Sequence, residues 1–133
     1  MRRRPRLSKS ADFDRVYRRG RSAATPHLVL YAFPRSAGDV ERAEPESEST
    51  EIRLGVSVGR RVGAAAERNR VKRLLREAFW SLEELPPTHD YVIVARPGAK
   101  GFAEARGIEG LREELRSLVV QLVGPGAPTR DER

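Results

Sequence analysis

The sequence predicts an α+β domain, a small mixed sheet with helices packed on it. Short apolar runs of strand length recur at Leu28–Phe33, Ile52–Val58 and Tyr91–Ala95. Around them lie segments whose apolar residues repeat every three or four positions, the period of an amphipathic helix. The order is helix, two strands, helix, strand, helix, with room for one more short strand near residues 20–26. At 133 residues the chain is long enough for one domain with a real core and too short for two ordinary ones.

Residues 1–7 are basic and read as an extended arm. Ser8 or Ser10 can cap a first helix that runs to about Arg19 and stops at Gly20. Phe13, Val16 and Tyr17 stand at i, i+3 and i+4, so they share a face. The strand Leu28–Phe33 is bounded by Pro26 and Pro34. Residues 35–51 are rich in Ser, Glu, Gly and Ala and poor in apolar residues, which predicts a disordered acidic loop. The strand Ile52–Val58 ends at Gly59. A helix is predicted from Ala64 to Leu85, with Pro86-Pro87 as its stop. Tyr91–Ala95 is apolar without interruption, the pattern of a strand buried on both faces, and Pro97-Gly98 breaks it. Ile108, Leu111, Leu115, Leu118, Val119 and Leu122 define a last helix, ended by Gly124-Pro125. Residues 124–133 read as a flexible tail.

The charge is high and unevenly placed. The formal net charge is +7 and the isoelectric point near 10.7, which points to an anionic partner. Residues 1–21 hold nine basic and two acidic residues, and residues 60–76 hold seven and one. Residues 35–53 hold three basic and six acidic residues, and the segment after 76 holds seven and ten. The excess belongs to two segments, as expected if those two form one surface. On a helical projection Val71, Leu74, Leu75, Ala78 and Leu82 make the apolar stripe of the second helix. Asn69, Lys72, Arg73 and Arg76 fall opposite, flanked by Arg68 and Arg70. So much like charge on one face costs stability, and a polyanion relieves it. Arg outnumbers Lys there, which suits forked hydrogen bonding to phosphate. A merely solvated basic face would carry compensating acids, and this one has only Glu67.

Other classes are excluded or disfavoured. With no cysteine there are no disulfides, zinc ribbons or thiol nucleophiles. Met1-Arg2-Arg3-Arg4 is not followed by an apolar run long enough for a signal peptide, and no run is long enough to span a membrane. A soluble cytoplasmic protein is expected. The two histidines, His27 and His89, have no ligand-type cluster around them in sequence. His89 beside Asp90 offers an acid–base pair on paper, but a loop histidine before a strand is the plainer account.

The run Arg68-Asn69-Arg70-Val71-Lys72-Arg73-Leu74-Leu75-Arg76-Glu77-Ala78-Phe79 resembles the signature of the bacterial ribonuclease P protein subunit family. Leu54-Gly55-Val56-Ser57-Val58, Val62-Gly63, Phe13 with Tyr17, Gly20-Arg21, Leu30-Tyr31 and Asp90-Tyr91-Val92-Ile93-Val94-Ala95-Arg96 fit the same pattern. The resemblance covers residues 6 to about 120, in order. It implies the fold of the second domain of a small-subunit ribosomal protein, with a left-handed crossover around the basic helix, against the general right-handed preference. Three departures stand out. Arg60-Arg61 replaces two lysines, Ala64 replaces an asparagine common after the glycine, and the acidic loop is longer than usual.

The resemblance also implies a role. Such a protein assists a catalytic RNA whose Mg2+ ions activate the water that removes the 5′ leader of precursor tRNA. No catalytic residue, bound metal or obligate protein partner is expected of the chain itself. Arg60, Arg61, Arg68, Asn69, Arg70, Lys72, Arg73 and Arg76 are the expected contacts to the catalytic RNA, with open amides at the helix start as a further phosphate site. Phe13, Tyr17, Val29 and Tyr31 are expected to line a cleft for the single-stranded leader, where flat aromatic faces stack bases with little sequence preference. Spacing alone assigns Phe13 and Tyr17 to the core, and the resemblance moves them to the cleft. For Trp80 two uses stay open, stacking on RNA or packing against the last helix. Three rival classes make different predictions. A ribosomal RNA-binding protein has no need of the aromatic cleft. A DNA-binding regulator requires a helix-turn-helix pair, which Pro86-Pro87 and the following strand disfavour. A protein-only nuclease needs a catalytic cluster.

Overall fold

In the computed structural model, residues 6–7, 10–34, 52–83, 85–86 and 88–123 are described. Most of the expected arm, the acidic loop at 35–51 and the tail at 124–133 lie outside them. The chain runs α1 (Ser10–Arg19), β1 (Arg21–Ala24), β2 (Leu28–Pro34), β3 (Arg53–Val58), α2 (Ala65–Trp80), β4 (His89–Ala95) and α3 (Ala99–Val123). The extra short strand is β1.

The strands form one mixed sheet in the order β1-β2-β4-β3. β1 with β2 and β2 with β4 are antiparallel, and β3 with β4 is parallel. A parallel pair needs a crossover, and α2 is that crossover. β4 is an inner strand, which explains why Tyr91, Val92 and Ile93 are all fully buried.

Alternation along the strands sorts the side chains to two faces. Leu28, Leu30, Leu54, Val56, Tyr91 and Ile93 face α2 and α3 and form the main core with Val71, Leu75, Phe79, Leu111, Leu115 and Leu118. Phe33 and Val92 face the other way. There they form a smaller core with Leu7 and Val16, against which Phe13, Tyr31 and Val94 pack. Among the described elements, one face of the sheet is thus covered by two helices, and the other by the ten-residue α1 with Leu7.

Two helix boundaries depart from the sequence expectation. α2 stops at Trp80, not Leu85, because Ser81 caps it. Ser81 Oγ donates to Ala78 O at 2.7 Å, and Leu82 N–H donates to Phe79 O at 3.1 Å. Leu82 and Leu85 still pack on the core from outside the helix. α3 starts at Ala99, well before Ile108, and breaks at Gly107, where φ is 63°. Only glycine adopts that conformation cheaply. The first half buries Ala99 and Ala103, residues too small to stand out in an apolar pattern.

Tyr91 is a large side chain with a polar end in the wrong place. Its ring packs 5.2 Å from Phe79 and stacks 5.6 Å from His89. Its hydroxyl is buried with no hydrogen-bond partner among the described residues, and burial pushes the phenol pKa up. Tyr91→Phe should therefore leave stability unchanged or raise it by up to ~1 kcal/mol. Urea denaturation checks this, and a clear loss would mean that the hydroxyl has a partner.

Candidate nucleic-acid interface

The charged side chains of α2 point away from the sheet because Val71, Leu75, Ala78 and Phe79 anchor the opposite face. Of the expected stripe, Val71, Leu75 and Ala78 are buried and Leu74 partly so, Phe79 joins them, and Leu82 packs on the core from beyond the helix end. Asn69, Arg70 and Arg73 are exposed, while Arg68, Lys72 and Arg76 are half-buried. Arg60 and Arg61 are exposed on the turn before α2, which Val62 N–H closes onto Gly59 O at 3.1 Å. Buried Val62 pins that turn to the core. All eight residues expected to meet the catalytic RNA thus lie on α2 or the turn leading into it.

Among the described residues, the two basic segments meet at Arg6. Arg6 reaches the α2 surface and lines a pocket with Arg73 and Arg76. Arg15, Arg18 and Arg19 sit on α1, which packs on the opposite face of the sheet. Charge composition could not show this, because the faces are assigned by strand alternation.

At the start of α2 the amide of Ala64 is taken by a side chain. Ala64 occupies the N-cap position and has no side-chain oxygen to accept a helix amide. Glu67 turns back instead, and its Oε1 accepts from Ala64 N–H at 2.9 Å. Lys100 Nζ lies 3.3 Å from the other oxygen. The Ala64 amide first, then Lys100, hold the Glu67 carboxyl below the usual range. A carboxylate therefore stands on the N-cap amide of α2. Ala64→Asn supplies the missing cap and should raise stability by about 1 kcal/mol. The shift of the melting temperature against the parent protein measures it.

The second surface lies across the sheet. Tyr17 and Tyr31 meet edge to face at 4.9 Å, and Phe13 follows at 6.2 Å from Tyr17, so α1 and β2 make one aromatic row. Tyr17 is 38% exposed. Burial first, then Tyr31, raise the pKa of its phenol, and Ser57 of β3 offsets part of that rise. Phe13 lies over Gly55, where an added Cβ would stand 2.7 Å from the ring. Val29 shares the face of Tyr31, and its register partner Val94 lies beside it on β4. Phe13, Tyr17, Val29 and Tyr31 are thus brought to one side of the sheet. Ser57, Gly55 and Val94 belong with them and were missed. Strand alternation from Val29 and Tyr31 would have found them only once the register was known.

His27, Glu114 and Asp90 have structural partners. His27 Nδ1 lies 3.2 Å from Glu114 Oε2, and its ring stacks on Phe102 at 4.2 Å. Together with Thr25, which lies 3.1 Å from Glu114 Oε1, it ties the β1–β2 turn to α3. His89 and Asp90 are neighbours on β4, so their side chains point to opposite faces of the strand. Asp90 is fully buried and binds Arg53 through two bonds of 2.9 Å. Among the described residues no group of three or more His, Cys, Asp or Glu is placed to hold a metal ion. Nor is any described helix long and apolar enough to cross a membrane.

A basic helix on one side of a small sheet and an aromatic floor on the other define a single-domain α+β protein suited to a polyanionic strand. The family model for ribonuclease P matches residues 1–123. The ribonuclease P protein component of Shouchella clausii is 40% identical over 109 residues, covering 80% of each chain. That of Bacillus velezensis is 40% identical over 99 residues, covering 74% of this chain and 76% of its own. The ribonuclease P protein structure from Thermotoga maritima superposes with a TM-score of 0.72 at 26% identity, covering 91% of this chain and all of that one. The Staphylococcus aureus structure gives 0.65 at 28% identity, covering 87% and 93%. The chain belongs to the bacterial ribonuclease P protein component family. In that family it is the protein subunit of an endoribonuclease that processes the 5′ end of tRNA.

Proposed function

We propose that the two surfaces divide the work of the subunit. α2, with Arg60, Arg61, Arg68, Asn69, Arg70, Lys72, Arg73 and Arg76, docks on the catalytic RNA through phosphates. The groove of Phe13, Tyr17, Val29 and Tyr31 holds the 5′ leader of precursor tRNA. The observation that carries this reading is the placement of the two features on opposite faces of one sheet. A protein 14.9 kDa in size can then touch enzyme RNA and substrate RNA at once without the two strands competing for the same charges. Mg2+ and the reacting groups belong to the RNA, and the protein supplies charge neutralisation and a stacking floor. tRNA maturation places the work in the cytoplasm, and no further protein partner is needed.

The deciding experiment is cleavage of precursor tRNA by a bacterial ribonuclease P RNA at low magnesium, with and without the protein. Restored leader removal, with no cleavage by the protein alone, supports the reading. Binding to the RNA without any gain in cleavage would reduce it to a ribosomal-type RNA binder. Within the same assay Tyr17→Ala should weaken binding of leader-bearing precursor by about ten-fold. Mature tRNA, which lacks the leader, should bind equally to both proteins.

A further inference from the structure

The C-terminal half of α2 presents more than charge. Arg73, Arg76, Glu77 and Trp80 stand at i, i+3, i+4 and i+7 and so share one strip of the helix. Facing them are Arg6 and Leu54. Leu7 N–H donates to Leu54 O at 3.0 Å, and Arg6 forms a parallel bridge with Leu54, which ties this segment to the outer edge of β3. The six residues enclose an open pocket of about 370 Å³. That size lies at the small end of the range for small-molecule sites.

The lining is of two kinds. Arg6, Arg73 and Arg76 bring three guanidiniums to it. Arg76 Nε is buried and has no hydrogen-bond partner among the described residues. Burial, then the nearby Arg6 charge, pull the Arg76 guanidinium below its ordinary pKa. An anion between them removes that cost. The rest of the lining includes Leu54 and the half-buried Trp80, whose indole stands edge-on to Phe79 at 5.2 Å. Phosphate contacts alone have no use for an indole at this place, whereas a nucleobase does. Glu77 only accepts hydrogen bonds, which suits the amino group of a base and repels phosphate. The order along the helix, with Arg73 and Arg76 before Trp80, separates a phosphate end from a base end.

We propose that this pocket takes one unstacked nucleotide of single-stranded RNA, its base against Trp80 and its phosphate on Arg6, Arg73 and Arg76. The inference rests on the RNA-docking reading of α2 and adds to it a base-sized anchor. Phosphate contacts along a helix tolerate sliding, and one inserted base fixes the position of the RNA on α2. Either the catalytic RNA or the precursor tRNA offers such a nucleotide.

Trp80 is the sole tryptophan of the chain, so the intrinsic fluorescence of the unlabelled protein reads the pocket directly. The full-length protein is titrated with ribonuclease P RNA, then with precursor tRNA, each with acrylamide as a collisional quencher. Stacking should quench the emission and shield the indole from acrylamide at the same RNA concentration that saturates binding. Quenching by the catalytic RNA alone assigns the nucleotide to it; quenching only by precursor assigns it to the substrate. Trp80→Leu should bind the assigned RNA about ten-fold more weakly, with Trp80→Phe recovering part of the loss. If RNA binds with a steep salt dependence while emission and acrylamide access stay unchanged, the pocket proposal is overturned and α2 docking survives. Equal affinity of a well-folded Trp80→Leu overturns it too. If neither RNA binds, the docking reading falls with it. Should Trp80→Leu fold poorly, the emission of the unsubstituted protein decides alone.

Discussion

Replacing Arg73 and Arg76 together with alanine lowers affinity for the ribonuclease P RNA by about a hundred-fold. Each guanidinium is expected to make a charge-assisted hydrogen bond to phosphate worth about 1.5 kcal/mol, and two such bonds amount to roughly that factor. The salt dependence changes as well. The slope of log affinity against log salt should become shallower by about two, one for each phosphate released. Folding should not suffer, because the apolar anchors of α2 lie on its other face and alanine favours the helix at least as well as arginine. Titrations between 50 and 300 mM salt, with melting curves alongside, measure both effects. An unchanged slope would mean that the RNA lies elsewhere on the protein.

Asp90→Ala should cost about 3 kcal/mol of stability and lower the melting temperature by roughly 10 °C. Asp90 is fully buried, and its two oxygens accept from Arg53 Nε and a terminal nitrogen at 2.9 Å each. Arg53 also lies 3.8 Å from Asp12, which in turn holds Arg15 at 3.2 Å. The network therefore joins α1, β3 and β4. Removing Asp90 takes both short bonds from a guanidinium that is largely buried and keeps the longer contact to Asp12, hence a cost at the low end for a broken buried pair. Replacing both partners, as in Arg53→Met/Asp90→Leu, should recover much of the loss, because no stranded charge remains. Since α1 carries Phe13 and Tyr17, leader binding should weaken in Asp90→Ala more than docking of the catalytic RNA. Urea denaturation and separate titrations with the two RNAs check these expectations. A loss confined to the catalytic RNA would contradict the assignment of faces.

Most of the fold was legible before any coordinates. The unbroken apolar run at Tyr91–Ala95 marks an inner strand, and β4 is one. The three-and-four spacing of Val71, Leu75 and Ala78 marks the buried side of the basic helix, and those residues are buried. The first half of α3 escaped notice because Ala99 and Ala103 bury little surface each. The end of α2 was misplaced because a serine hydroxyl, not the later prolines, stops it. The Arg53–Asp90 pair joins residues 37 positions apart, and nothing local announces it.

The sequence by itself determined the class of fold, the charge of α2 and the family, because periodicity, composition and a contiguous signature are properties of neighbouring residues. Tertiary structure alone decided which residues share a face. It set the aromatic row of α1 and β2 against Ser57 and Val94, which depends on strand register. It turned Glu67 back onto the Ala64 amide at the start of α2. It also carried Trp80 to the outer edge of β3, among Arg6, Leu54 and Arg76, and so settled its surroundings. Each of these is a meeting of segments distant in sequence. The free energy that holds them is shared over the whole core, so no local stretch encodes it.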